Sequence, residues 1–217
     1  MKEYIEIQKY AFRKYKIKTV ENKHTHLVPE ELEQLERLSL TDKHMKLQKS
    51  LDAFLFCCYA GMRYSDFTNL SKKNIVDINQ ETWLIYKSVK TGTEVRLPLY
   101  LLFAGKGIVI LNKYRNNLED FFRLRDNSNI NKDLIIIAKL AGLSKKISFH
   151  TARHTNATLL IYNGVNITTV QKLLGHKSVK TTQVYTNIMD MTIVHDLEKI
   201  KQAALGIKKK TDNSFNK

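Results

Sequence analysis

One stretch, residues 149–185, constrains the fold of this chain more than any other. Its apolar runs are separated by residues that commonly begin or end helices, namely Asn163, Gly164, Asn166, Gly175 and Ser178. Glycine and asparagine favour the left-handed conformation that closes a helix, whereas asparagine and serine side chains cap the free N–H groups that begin one. The pattern therefore predicts three short helices joined by tight turns, the last of which carries Val179 and Tyr185.

Four polar side chains accompany these predicted helices, namely His150, Arg153, His176 and Tyr185. Each can act on a phosphate group: arginine presents a planar donor fork, histidine exchanges protons near neutral pH, and tyrosine offers a nucleophilic hydroxyl. Because tight turns bring the three helices side by side, the sequence predicts that these groups converge on one site.

The overall charge indicates a polyanionic partner. The 217 residues include 36 Lys and Arg against 21 Asp and Glu, which gives a net charge of +15. Such an excess neutralises phosphates and releases their counterions, so a polyanion is the expected class of partner. Charge alone identifies no activity, because a basic structural protein would show the same balance.

Cysteine use and hydropathy bear on location. Cys57 and Cys58 are the only cysteines; they are adjacent within an apolar run and are expected to be buried thiols. We expect no disulfide framework, no signal peptide and no membrane span, since no apolar run approaches about 20 residues. The expected location is cytoplasmic, in association with the nucleoid.

The residue types favour phosphoryl transfer without a metal. Metal-dependent nucleases need clustered carboxylates, whereas Asp66, Asp77 and Asp133 are scattered between different predicted elements. Two guanidinium groups, those of Arg63 and Arg153, can stabilise the developing negative charge instead.

A zinc site is the alternative for His150 and His154, which are four residues apart and share one helical face. Thr151 stands where the H-E-x-x-H motif requires glutamate, which argues against it. We therefore expect no metal and no other cofactor, and we expect His154 to make a structural hydrogen bond.

The second half of the chain resembles the tyrosine recombinases, the phage integrase family. It carries an H-x-x-R-H-T sequence beginning at His150, then L-L-G-H, and then a tyrosine. His176 lies 23 residues after Arg153 and nine before Tyr185, a spacing that suits this family.

A second resemblance to the family occurs upstream. Arg63 is followed three residues later by Asp66, as in the first conserved box of these recombinases. Ala60 and Met62 replace the Thr and Leu that are usual there, and neither change is expected to affect the chemistry.

The resemblance implies a role for each polar residue. Tyr185 would be the nucleophile that forms a 3′-phosphotyrosyl link, and Arg63 and Arg153 would hold the phosphate. His176 would donate a hydrogen bond to a non-bridging oxygen, and His150 would accept the phenol proton.

A lysine on a β-hairpin is the general acid of the resembled family. Lys90, in a K-T-G sequence, is the favoured residue because the hairpin turn can project it. Lys87, three residues earlier, is the competing candidate.

The implied fold is α+β and mainly helical: a tyrosine-recombinase catalytic domain with a small three-stranded antiparallel sheet. Apolar periodicity and turn signals predict its elements. Helices are predicted from Pro29, over 46–59 in the core, over 108–114 and over 133–141; strands are predicted at 74–78, 82–89 and 94–99, and a polar break at 127–131.

The chain divides into three predicted segments. Residues 1–26 are expected to be a basic linker or the tail of a missing core-binding domain, residues 27–205 the catalytic domain, and residues 206–217 a disordered basic tail. Within the second segment, an apolar stripe is predicted at Ile193, Leu197, Ile200 and Ala204. In the resembled family this element often docks on a neighbouring protomer, and docking on its own domain is the alternative.

The function implied is site-specific cleavage and rejoining of DNA without metal or ATP, in the integration or excision of a mobile element. The partners implied are double-stranded DNA and further protomers in a DNA-bound tetramer, with a monomer when free. The alternatives are relaxation of DNA in the manner of a type IB topoisomerase and a catalytically silent DNA-binding module.

Overall fold

The structure is a computed structural model that describes residues 25–186 and residue 201. The terminal segments considered above and the apolar stripe predicted at residues 193–204 lie outside the described residues, apart from residues 25, 26 and 201. Among the residues that are described, no helix is long and apolar enough to cross a membrane.

The described residues form nine α-helices, three short 3₁₀ helices and three strands. The α-helices are α1 (Pro29–Glu36), α2 (Gln48–Ala60), α3 (Tyr64–Phe67), α4 (Lys106–Lys113), α5 (Leu118–Phe122), α6 (Asn127–Leu140), α7 (Phe149–Tyr162), α8 (Ile167–Leu173) and α9 (Lys180–Gln183). The strands are β1 (Ile75–Ile78), β2 (Glu81–Lys87) and β3 (Glu94–Pro98). Pro29 occupies the first turn of α1, as predicted, because a proline there loses no helical hydrogen bond.

Helix α2 lies at the centre of the core, as its apolar sequence predicts. Every residue from Ser50 to Ala60 is buried, and the helix packs against α7, α4 and α6. Each fully buried large side chain, such as Phe54, contributes about 1.5–3 kcal/mol from burial. The pairing of α2 with α7 matters for the site, because α2 leads directly into Arg63 and α7 carries Arg153.

The sheet is antiparallel in the order β1-β2-β3, as predicted. In β2, Leu84 and Tyr86 point into the core opposite Leu97 and Val95 of β3, following the two-residue alternation of a half-buried strand. Ser88 continues the same inward face just beyond β2 and is buried. The hairpin therefore places the Ser88 side chain in the core and Lys90 on its turn.

The polar break predicted at residues 127–131 is wrong, because these residues form the first turns of α6. Asp126 caps this helix, and its side-chain oxygen accepts a hydrogen bond from the Asn129 backbone N–H at 3.0 Å. Asparagines disfavour helix interiors but are compatible with an exposed first turn behind a good cap.

The last predicted helix is shorter than expected. Helix α9 begins after Val179, with the Ser178 hydroxyl accepting from the Lys180 N–H at 3.2 Å, and it ends at Gln183. Tyr185 is thus not helical but follows α9, with its N–H bonded to the Thr182 carbonyl at 3.1 Å.

Candidate active site

Arg63 lies at the turn between α2 and α3. Gly61 closes α2 in the left-handed conformation (φ +66°), and Arg63 then occupies the extended N-cap position of α3. The Arg63 Nη1 lies 3.3 Å from the Ser88 hydroxyl and 3.5 Å from an Asp66 carboxylate oxygen. Its side chain is 14% exposed, so part of it remains accessible to a ligand.

Asp66 joins this arginine to the β-hairpin. Its carboxylate is buried and accepts from the Val89 N–H at 2.8 Å and from the Ser88 hydroxyl at 3.3 Å. It also pairs with Arg63, which supplies the positive charge that a buried carboxylate needs. Asp66 thereby fixes the position of the hairpin relative to Arg63.

Arg153 connects the two sequence boxes. It is 1% exposed, and its guanidinium group donates to the Gly61 carbonyl at 2.7 Å and to the Leu174 carbonyl at 2.6 Å. Burial, with the nearby Arg63 charge, lowers the pKa of Arg153 to about 10, so the group remains charged at neutral pH. Two of its five N–H groups are committed to these carbonyls, which fixes the plane of the donor fork.

Asn156 is a site-supporting residue that the sequence analysis missed. One turn after Arg153 on α7, its buried amide donates to the Cys58 carbonyl at 2.9 Å and to the Tyr59 carbonyl at 3.0 Å. These carbonyls end α2 and have no partner within the helix. The available signal was an amide at the third position after Arg153, on the same helical face.

We expect Gly61→Ala to lower the free energy of unfolding by about 2–5 kcal/mol, the sum of left-handed strain and overpacking. A Cβ there would lie 2.6 Å from the Asn156 Oδ1 and 2.8 Å from a Leu174 methyl carbon, at a φ of +66°. Urea denaturation measures the change. Gly142→Ala is the matched control, because its φ is +75° and nothing lies within 4 Å of the added Cβ. Equal losses in the two variants would contradict the packing argument.

His176 is held between the hairpin and α9. The preceding Gly175 (φ +62°) approaches β3 so closely that a Cβ would lie 2.7 Å from a Val95 methyl carbon. Its carbonyl accepts from the Thr91 hydroxyl at 3.1 Å, and the His176 Nδ1 lies 2.9 Å from the Thr182 hydroxyl. These contacts fix the imidazole ring.

Burial is the largest cause that lowers the pKa of His176 to about 4, and the charges of Arg153, Arg63 and Lys90 add to it. The imidazole is therefore neutral at physiological pH and carries one proton. When the Thr182 hydroxyl donates to Nδ1, that proton is on Nε2, which can then donate to a bound phosphate oxygen.

Lys90 is exposed on the turn of the β2–β3 hairpin. It lies close enough to His176 for its charge to affect the pKa of that imidazole. Lys87 is also exposed, but its side chain runs beside the turn, with its Cε 3.9 Å from where a Gly92 Cβ would stand. The structure thus brings the Lys90 charge to the site.

Tyr185 is buried beside α7. It is 5% exposed, and its hydroxyl lies 3.1 Å from the His154 Nδ1. Burial raises the pKa of this phenol, while the charges of Arg153 and Arg63 oppose that rise. The phenol therefore stays protonated at neutral pH, within the electrostatic field of both arginines.

The two histidines of α7 are placed differently from each other. His150 is exposed in the first turn, and its ring lies edge-on to that of His154, with the ring centroids 4.4 Å apart. The residue in hydrogen-bond contact with the Tyr185 hydroxyl is the buried His154. Sequence reasoning expected a hydrogen bond from His154 but could not identify its partner, because that partner is 31 residues away.

No group of three or more His, Cys, Asp or Glu side chains is arranged to hold a metal ion within the described residues. The positive charge of the site comes from Arg63, Arg153 and Lys90.

The site combines a buried arginine that joins two chain segments, a second arginine bonded to the β-hairpin, and a tyrosine that follows a Gly-His turn. This combination is that of the catalytic domain of a tyrosine recombinase. Residues 25–191 match the phage integrase family, and the chain belongs to that family.

Individual relatives agree with this assignment. The tyrosine recombinase XerD of Bifidobacterium longum is 50% identical over 171 residues, which cover 71% of this chain and 54% of that protein. The crystal structure of XerA recombinase is similar at a TM-score of 0.63 and 26% identity, covering 81% of this chain and 64% of the other. A lambda integrase tetramer bound to a Holliday junction shares the fold at a TM-score of 0.60 and 19% identity, and the match covers 77% of this chain and 49% of the other. The chain spans about half the length of the curated relatives it matches.

Proposed function

We propose that this chain is a site-specific DNA recombinase, an integrase, that cleaves and rejoins strands through a 3′-phosphotyrosyl intermediate. The observation that carries the proposal is the position of Tyr185: burial raises the pKa of its phenol, but Arg153 and Arg63 lie near enough for their charges to oppose that rise. Two guanidinium groups around a phenol supply the positive charge that phosphoryl transfer to tyrosine requires.

In the proposed cleavage step, the Tyr185 oxygen attacks the phosphorus atom, and the bond from phosphorus to the 5′-oxygen breaks. The phenol proton passes to an acceptor, for which we propose His150, and Lys90 protonates the departing 5′-oxygen. One phosphodiester link replaces another, so a second DNA end can reverse the reaction without ATP.

Arg63, Arg153 and His176 would stabilise the charge of the pentavalent transition state. The Gly61 and Leu174 carbonyls hold the Arg153 fork in a fixed plane, which supports a role in stabilising this charge. A neutral His176 can donate a hydrogen bond without competing for the negative charge of the phenolate. We propose that these groups make a metal unnecessary.

The proposed partners are a DNA duplex and further copies of the chain in a DNA-bound tetramer, assembled from free monomers. The net charge of +15 supports binding to DNA. A tetramer is supported by analogy with the structural neighbour, lambda integrase, which was solved as a tetramer on a Holliday junction. We propose integration or excision of a mobile element as the biological setting.

A library of nicked duplexes tests the proposal. The bases around the nick are randomised so that the library includes sequences that the protein recognises. Cleavage close to the nick releases a short fragment that is lost, and the protein therefore remains trapped on the DNA. We expect adducts that survive denaturation, form in the presence of EDTA and yield a modified peptide containing Tyr185. Failure to form adducts, or adducts that depend on a divalent metal, would contradict the proposal. Relaxation of supercoiled circles without any strand exchange would favour topoisomerase activity instead.

A further inference from the structure

The buried contact between His154 and Tyr185 has a consequence for the proposed reaction. An oxygen that attacks a phosphorus atom of duplex DNA must be accessible to that DNA. The Tyr185 side chain is instead 5% exposed, and its hydroxyl is in hydrogen-bond contact with the His154 Nδ1 inside the protein. The structure therefore shows the nucleophile withdrawn.

The protonation states in this contact follow from the chemistry of its two groups. Burial raises the pKa of Tyr185, so the phenol keeps its proton and is able to donate it to the His154 Nδ1. With the phenol as donor, the acceptor is a bare Nδ1, and His154 is then neutral with its proton on Nε2. A buried hydroxyl that loses its acceptor is destabilised, so the bond favours the withdrawn position over an exposed one.

We propose that His154 is a positioning residue that holds the Tyr185 hydroxyl in this withdrawn state, and that the bond must break before Tyr185 attacks DNA. The proposal rests on the function assigned to Tyr185 above. His154 follows Arg153 directly on α7, so the restraint acts from the helix that holds the phosphate-binding arginine. The nucleophile is thus restrained until DNA displaces it.

The backbone around Tyr185 limits how the release can occur. The Tyr185 N–H is bonded to the Thr182 carbonyl, and the Thr182 hydroxyl contacts His176. These bonds tie α9 to the candidate site without involving the phenol oxygen. These bonds therefore need not break when the phenol oxygen leaves His154.

Magnetic resonance of the full chain without DNA tests the hydrogen bond itself. Tyrosine labelled with ¹³C at Cζ gives one resonance per tyrosine, and the Tyr185→Phe variant identifies the line of Tyr185. We expect His154→Phe, which keeps a ring but removes the acceptor, to shift that line. His44→Phe, at a histidine bonded to Thr41 in a different region, should leave it unchanged. An unshifted line in His154→Phe would overturn the proposal.

Cleavage kinetics test the consequence. On a nicked duplex recovered from the library, at saturating protein, we expect His154→Phe to form the adduct roughly tenfold faster than the unaltered chain, as release of the phenol becomes easier. His154→Asn places an amide oxygen near the position of Nδ1 and should restore the slower rate. An unchanged or reduced rate in His154→Phe would show that the contact does not restrain the nucleophile.

Two further measurements keep the outcomes separable. If His154→Phe fails to fold, the ¹⁵N chemical shift of the His154 Nδ1 in the unaltered chain decides. We expect the shift of an unprotonated nitrogen, and we expect it to change in the Tyr185→Phe variant. The shift of a protonated Nδ1 would overturn the proposal. If the unaltered chain forms no adduct, the proposed function fails, and the resonance experiments still decide whether His154 holds Tyr185.

Discussion

Replacement of Tyr185 by Phe will abolish the covalent protein–DNA adduct while leaving the affinity for duplex DNA nearly unchanged. The variant lacks only the attacking oxygen, and the charged groups Arg63, Arg153 and Lys90 remain. Loss of the hydrogen bond to His154 should cost about 1 kcal/mol of stability, which leaves the fold intact.

Denaturing electrophoresis on a nicked duplex measures the adduct, and fluorescence anisotropy measures the affinity. Tyr100→Phe is the matched control, because Tyr100 packs against Trp83 at the sheet. This variant is expected to form the adduct at the normal rate. Adduct formation by Tyr185→Phe would show that another residue is the nucleophile.

Replacement of Lys90 by Ala should slow cleavage by about 10²–10⁴, the usual effect of losing a general acid. The charge of Lys90 reaches His176 in the structure, whereas Lys87 lies beside the hairpin turn. Single-turnover cleavage measures the loss, and Lys87→Ala is the matched control on the same hairpin, with an expected effect of less than about tenfold.

A substrate with sulfur in place of the bridging 5′-oxygen separates proton donation from other roles of the lysine. Thiolate leaves without being protonated, so this substrate should restore most of the rate of Lys90→Ala. Rescue of Lys87→Ala but not of Lys90→Ala would mean that Lys87 is the general acid.

Local sequence patterns were sufficient to predict the main elements of the fold. Pro29 indicated the start of α1, the apolar run after Leu51 indicated a buried α2, and strand-forming segments on either side of the K-T-G turn indicated a hairpin. Each of these features depends on residues close together in the chain. The start of α6 was missed because the cap at Asp126 was not recognised and the following asparagines were interpreted as a break.

The contacts that build the candidate site were less predictable, because they join distant parts of the chain. Asn156 supports the end of α2 from a position about a hundred residues away, and periodicity gives no indication of such a partner. The contact between His154 and Tyr185 also depends on where the chain runs after α9. Motif spacing identified the polar residues, but the partner of each became visible only in three dimensions.

The buried guanidinium group of Arg153 affects how inactive versions of this protein should be made. It satisfies the carbonyls of Gly61 and Leu174, so it cross-links the segments that carry Arg63 and His176. Replacing it with alanine would leave two buried acceptors unpaired together with a cavity, and loss of activity would then be inseparable from loss of structure. A variant meant to trap a DNA complex for imaging is better made by removing the phenol oxygen of Tyr185, since the framework around the phosphate is then left intact.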